Sequence, residues 1–204
     1  GGTDGLIAVS ANYAKNLLFS SNNVTYSGKS NGTVGKYANA IRVSNSDNAL
    51  IGENNFRINV TSVDVPWNEV PAASGNWVSD PVSEGIVVKD SNNVTLSTNI
   101  IILNATDFVT DSGYDTVYVV DINNCTDAYF GSNYVAAQGQ DYIYGLIASG
   151  DNLNITTNSI LVQSPLNYAC GIDIEGPAIA TVENNVIGAI SPMSAYAVYA
   201  AMSN

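Results

Sequence analysis

Residues 85–103, GIVVKDSNNVTLSTNIIIL, hold three short apolar runs, at 86–88, 94–96 and 100–103, each cut from the next by Asn, Asp, Ser or Thr. Valine, isoleucine and threonine suit a pleated, half-buried surface. Asn, Asp and Ser suit tight turns, because their side chains bond nearby backbone and the first two tolerate left-handed conformation. Nothing in the stretch has helical period. A chain built from such units folds as short strands separated by sharp corners.

The unit recurs. A first strand reads LIAVS (6–10), AIRVS (40–44), GIVVK (85–89), TVYVV (116–120), GLIAS (145–149), GIDIE (171–175) and AVYAA (197–201). Its reference residues Ile7, Ile41, Ile86, Val117, Leu146, Ile172 and Val198 lie 34, 45, 31, 29, 26 and 26 positions apart. A second run follows most of them, at 49–51, 94–96, 153–155 and 179–182. An asparagine then stands just ahead of a third run: Asn23, Asn55, Asn99, Asn133, Asn158 and Asn185. Three short strands per repeat, with length variation in one connection, predict an all-β, right-handed, single-stranded parallel β-helix. It has about six to seven coils in one domain spanning residues 1–204. At ~4.8 Å per coil the stack is roughly 30 Å long. A β-sandwich explains the strands but not the recurring asparagine, whose amide is expected to stack at one corner.

The connection after the third strand swells in the second repeat to residues 61–84, TSVDVPWNEVPAASGNWVSDPVSE. It carries both tryptophans, Trp67 and Trp77, and Pro66, Pro71 and Pro81. Two readings stay open: the indole rings pin the excursion to the coils, or they form a glycan-stacking or protein-docking surface. Residues 197–204 read as the first strand of a seventh coil, and the chain begins almost directly in a strand. Neither end reads as a polar cap, so the sequence is part of a longer array or its ends meet other molecules. No signal peptide precedes Gly1, which leaves a mature chain or an excised piece.

Composition narrows the chemistry. The net charge is −12 with six basic residues, which argues against nucleic acid and anionic membrane surfaces. No histidine is present, which removes Ser-His-Asp and Cys-His nucleophiles and imidazole metal ligands. Two cysteines make neither a metal motif nor a disulfide framework. No apolar run approaches the ~20 residues of a membrane span. No cofactor is expected. Seven N-x-[ST] sequons, at Asn23, Asn31, Asn59, Asn93, Asn104, Asn124 and Asn154, fit a secreted, N-glycosylated surface protein.

Outward positions of the first strand are expected to form rows along the stack. One row reads Ala8, Arg42, Val87, Tyr118, Ile147, Asp173 and Tyr199. Its apolar members, Val87, Tyr118, Ile147 and Tyr199, form a candidate lateral interface or the seat of the long loop. The neighbouring row reads Ser10, Ser44, Lys89, Val120, Ser149, Glu175 and Ala201. Asp173 and Glu175 sit two apart on one strand, ~6–7 Å from each other on one face. Such a pair can serve acid–base work on a glycosidic bond, bind a cation, or be solvated. Cys125 takes the place of Val94 in its repeat, and Cys170 lies two coils on. Their ~9–10 Å separation exceeds disulfide reach, so two unpaired core thiols are expected, with an intermolecular bridge as the alternative.

The units GIVVKDSNNVTLSTNIII and NNVTL resemble right-handed parallel β-helix repeat proteins, in particular the adhesin-like and S-layer- or sheath-associated surface proteins of archaea. The resemblance covers nearly the whole chain. It implies a non-catalytic extracellular structural protein, a building block of a cell-surface layer, sheath or fibre, that self-assembles with its own copies through open ends and lateral faces. The alternative is a glycan-binding adhesin module that grips surface glycans with Trp67 and Trp77. A polysaccharide lyase or hydrolase acting through Asp173 and Glu175 is a third. Pectate lyases and polygalacturonases share the fold, but they cluster Asp with Arg, Lys or His, and here Arg42 is expected about four coils, near ~19 Å, from Asp173.

Overall fold

The computed structural model describes residues 6–31, 38–63, 82–106, 116–139, 141–176 and 179–201, and every element among them is a β-strand. Three strands make one coil. The first coil is β1 (Leu6–Asn12), β2 (Leu18–Ser20) and β3 (Asn23–Asn31); the second is β4 (Ala38–Ser44), β5 (Leu50–Gly52) and β6 (Asn55–Val63). The third is β7 (Val82–Lys89), β8 (Thr95–Ser97) and β9 (Ile100–Thr106); the fourth is β10 (Thr116–Thr126), β11 (Tyr129–Gly131) and β12 (Tyr134–Gln138). The fifth is β13 (Tyr142–Asp151), β14 (Leu153–Thr156) and β15 (Ser159–Gln163); the sixth is β16 (Tyr168–Glu175), β17 (Ala180–Glu183) and β18 (Val186–Ile190). A seventh first strand, β19 (Ser194–Ala201), follows.

Like strands stack in parallel into three sheets: β1-β4-β7-β10-β13-β16-β19, β2-β5-β8-β11-β14-β17 and β3-β6-β9-β12-β15-β18. This is a parallel β-helix. Each strand lends alternate side chains to the interior, and register turns them into files. The first sheet contributes Val9, Ile41, Ile86, Val120, Leu146, Ile172 and Val198 in pairing order. The second contributes Phe19, Ile51, Leu96, Phe130, Ile155 and Val182. The third contributes Val24, Phe56, Ile101, Val135, Ile160 and Ile187. From the second coil to the fifth these files are fully buried. Burying each such side chain stabilises by about 1.5–3 kcal/mol, so the core is a column rather than a centre.

The corners explain why the chain is rich in Asn, Asp and Ser. Each is made by single residues in left-handed conformation: Tyr13, Asn45, Asp90 and Asn124 at the first, Asn16, Asn48, Asn93, Asp127 and Asn152 at the second. Ser21, Glu53, Thr98, Ser132, Thr157 and Asn184 make the corner between the second and third strands. Asn and Asp accept this conformation better than other non-glycine residues, and copies on successive coils bond one another. Asn93 Nδ2 donates to Asn48 Oδ1 at 2.7 Å, and Asn124 Nδ2 donates to an Asp90 carboxylate oxygen at 2.7 Å.

Just after the third corner runs an asparagine ladder, Asn22, Asn54, Asn99, Asn133, Asn158 and Asn185, buried from Asn54 to Asn158 and half-buried at its two ends. Each Oδ1 from Asn54 onward accepts both the backbone N–H and the Nδ2 of the asparagine one coil earlier, at 2.9–3.1 Å. From Asn54 onward each Nδ2 also donates to a backbone carbonyl of the preceding coil's second strand: Phe19, Ile51, Leu96, Phe130 and Ile155. Corner backbone is thereby satisfied inside the column, where an orphan group would cost about 1–3 kcal/mol.

Four sequence expectations need correction. The first two ladder members are Asn22 and Asn54, not Asn23 and Asn55; both sites are Asn-Asn doublets, and only the register separates them. Val9, not Ile7, aligns with Ile41. Val120, not Val117, aligns with Ile86, because the first strand bends at Gly85, Val119, Gly145 and Gly171 and strict alternation breaks there. Cys125 stands at the first corner with Ser46 and Ser91, not at the place of Val94. Its Sγ contacts the Asn123 carbonyl as the Ser91 hydroxyl contacts that of Lys89.

Candidate functional site

Among the described residues, the outer face of the first sheet gathers tyrosines, carboxylates and a thiol. Before the bend, β13 and β16 present Tyr142, Tyr144, Tyr168 and Cys170 outward, and β10 and β19 add Tyr118 and Tyr196. After the bend the outward residues are Val87, Asp121, Ile147, Asp173 and Tyr199, which pair in that order. The expected interface row is therefore changed. Asp121 replaces Tyr118 between Val87 and Ile147, and Ser10 rather than Ala8 pairs with Arg42. In the neighbouring row Asn12 and Asn123 replace Ser10 and Val120. Val87 and Ile147 are buried, whereas Tyr199 is exposed.

Tyr118 joins a different array. Its ring lies 5.1 Å from Tyr144; Tyr144 is 5.3 Å from Tyr168, Tyr168 is 5.6 Å from Tyr196, and Tyr196 meets Tyr199 edge-on at 5.6 Å. Tyr142 stacks on Tyr168 at 5.6 Å. These separations suit offset and edge-to-face aromatic pairs. Glycine makes the adjoining bend possible: a Cβ on Gly171 would stand 2.7 Å from the Ala197 carbonyl oxygen, and one on Gly145 would stand 2.6 Å from that of Gly171. Burial raises the Tyr144 and Tyr168 phenols above their usual range, with smaller contributions from Tyr118 on the first and Cys170 on the second. Tyr196 and Tyr199 are the open end of the array, at 43% and 42% exposure.

Beside these rings lie carboxylates with unequal company. Asp121 is buried but ion-paired with Lys89 at 2.9 Å. Asp141 accepts Asn167 Nδ2 at 2.7 Å. Asp173, 5% exposed, has an Oδ1 with no hydrogen-bond partner. Burial, reinforced by the charge of Glu175, pushes its carboxyl up to about 6. Glu175, on the same face of the strand, is exposed. The sequence explains the contrast. All six basic residues lie at or before Lys89, while eleven of the eighteen acidic ones lie beyond it.

The two thiols are buried and free. Burial pushes both up to about 11, so neither is a ready thiolate. The side chains of six sequon asparagines, Asn23, Asn59, Asn93, Asn104, Asn124 and Asn154, are exposed, in contrast to the ladder. Asn31 lies in β3, and its side chain is outside the described residues, as are Trp67, Trp77 and most of the expected 61–84 excursion. Among the described residues no three His, Cys, Asp or Glu side chains gather as a metal site.

Compared with known proteins, the chain matches no family model, no curated protein and no solved structure. The tyrosine array was not anticipated as a site from the sequence. Its signal is the 26-residue spacing of the last coils, which lays Tyr142 beside Tyr168 and files Tyr144, Cys170 and Tyr196 together.

Proposed function

We propose that this chain is a non-catalytic structural module of an extracellular layer, sheath or fibre, and that it assembles by stacking copies end to end. The observation that carries the proposal is the polarity of the asparagine ladder. Each asparagine gives its backbone N–H and Nδ2 to the Oδ1 of the next coil. Among the described residues, no following Oδ1 receives the Asn185 N–H, and no preceding asparagine donates to Asn22 Oδ1. The ladder is thus directional among the described residues, and a coil of a second copy set against either end would continue it in the same register. Val198, from the core file, is 44% exposed on β19, and β19 leaves a strand edge open among the described residues. Complementary faces on one chain make a heterologous, head-to-tail contact, the kind that generates filaments. The exposed sequons and scarcity of charged residues favour an extracellular setting.

The test is sedimentation of the chain against Val198→Lys, which places a charge on β19 without entering a complete coil. The wild-type chain is expected to sediment as a concentration-dependent ladder of oligomers and the variant as a monomer with an unchanged circular dichroism spectrum. A monomeric wild-type chain at millimolar concentration contradicts the proposal.

A further inference from the structure

Asp173 is a buried carboxylate with an unpartnered oxygen, in a half of the chain that contains no lysine or arginine. A charge so placed needs a partner, or it destabilises its surroundings. The nearest buried acid along the same row, Asp121, shows the usual remedy in its 2.9 Å pair with Lys89. Asp121 and Asp173 are separated by Ile147 in the register, two strand spacings or about 9–10 Å, so Lys89 does not serve both.

On the β19 side of Asp173 an aromatic array begins. Tyr199 is its register partner on β19, and Tyr196 is that of Cys170, three residues before it. Tyr168, on its own strand, packs between Tyr144 and Tyr196. The ring of Tyr199 beside Asp173 meets Tyr196 at 5.6 Å, and Tyr196 meets Tyr168 at 5.6 Å, which joins the carboxylate's neighbour to the array. Glu175 adds a second, exposed carboxylate two residues on.

We propose that Asp173, Glu175 and the rings of Tyr144, Tyr168, Tyr196 and Tyr199 form a receptor for an ammonium group. Ring faces attract such cations, and carboxylates neutralise them. A hard divalent metal fits less well. Calcium takes six to eight oxygen ligands, and two carboxylates on one strand among phenols do not approach that number. The receptor lies on the side of the stack, so it works whether or not copies join end to end. The ammonium has two possible sources, a free small amine or a lysine side chain of a partner protein.

The experiment is an NMR titration of the chain with n-butylammonium chloride and, separately, with N-acetyl-lysine-methylamide, each against sodium chloride at equal ionic strength. Tyrosine ring resonances of the array are expected to shift saturably with an ammonium probe and not with sodium. Saturation by the butylammonium probe alone assigns the site to free amines; tighter binding of the lysine probe assigns it to a protein partner. Asp173→Asn is expected to weaken binding at least tenfold. Tyr168→Phe, which keeps the ring, retains it, and Tyr168→Leu weakens it several-fold. No saturable shift with either probe, an equal shift with sodium, undiminished binding by a folded Asp173→Asn variant, or saturation by calcium chloride alone would each overturn the proposal. Repeating the titration on Val198→Lys separates this outcome from that of the stacking proposal.

Discussion

At the scale of single residues, Asn133 shows how much one amide does. Its Oδ1 accepts the N–H and Nδ2 of Asn99, and its Nδ2 reaches Leu96 O and Asn158 Oδ1, all buried. Asn133→Ala strands several of these groups, and we expect a loss of about 3–5 kcal/mol in urea unfolding. Asn22→Ala, at the start of the ladder, should cost about 1 kcal/mol, because no preceding coil among the described residues uses its Oδ1. Asp173 sets a pH dependence, because burial, reinforced by the charge of Glu175 on its own strand, raises its carboxyl. Its folded carboxyl titrates near 6, above its ordinary 3.8, so the folded state holds the proton more tightly. The stabilisation is complete below about 4 and is lost as pH rises through 6. Asp173→Asn should therefore gain on the wild-type chain across that window, by on the order of 1–2 kcal/mol at pH 7. Equal thermal-melt profiles at pH 4 and pH 7 for the two proteins would disprove the assignment. The asparagine ladder was legible in the sequence because its residue type recurs at a fixed place before the third strand. The unpartnered Oδ1 of Asp173 was not, because it depends on which side chains the register sets around it.

At the scale of elements, the corners decide what the chain tolerates. Gly150 has φ near 128°, and a Cβ there would lie 1.9 Å from the Cys125 carbonyl oxygen. Gly176 has φ near 74° with nothing within 4 Å of a built Cβ. Gly150→Ala should lower stability by more than about 3 kcal/mol, whereas Gly176→Ala should cost only about 1–2 kcal/mol. Chemical denaturation of the pair checks the contrast, and equal effects would count against the corner geometry. The third strands were well placed from the sequence, since the two-residue corner before them hardly varies. The first strands were harder to place. In β1 the irregular step at Ala8 leaves Ile7 outward beside Asn39 and Val9 inward beside Ile41, and a strict alternation of apolar residues does not show that step. In β10 the bend at Val119 gives two successive inward residues, and an alternation rule then selects Val117 over Val120. That slip moved Tyr118 into the wrong row and concealed Asp121.

At the scale of the whole molecule, the column has a direction and its charge is uneven. Eleven acidic residues and no basic one follow Lys89, so copies approaching one another repel at low salt. The stacking contact itself is apolar and hydrogen-bonded. Association in sedimentation should therefore strengthen as sodium chloride rises from about 10 to about 300 mM, over which the screening length falls several-fold. Weakening over that range would point to an ion-paired contact instead. The most direct test of the central claim is electron microscopy with diffraction on concentrated chain at moderate salt. Stacked coils predict filaments with an axial spacing of ~4.8 Å and a subunit repeat near ~30 Å. Dispersed particles at that concentration, or filaments without the axial ~4.8 Å spacing, would contradict end-to-end stacking of the helix.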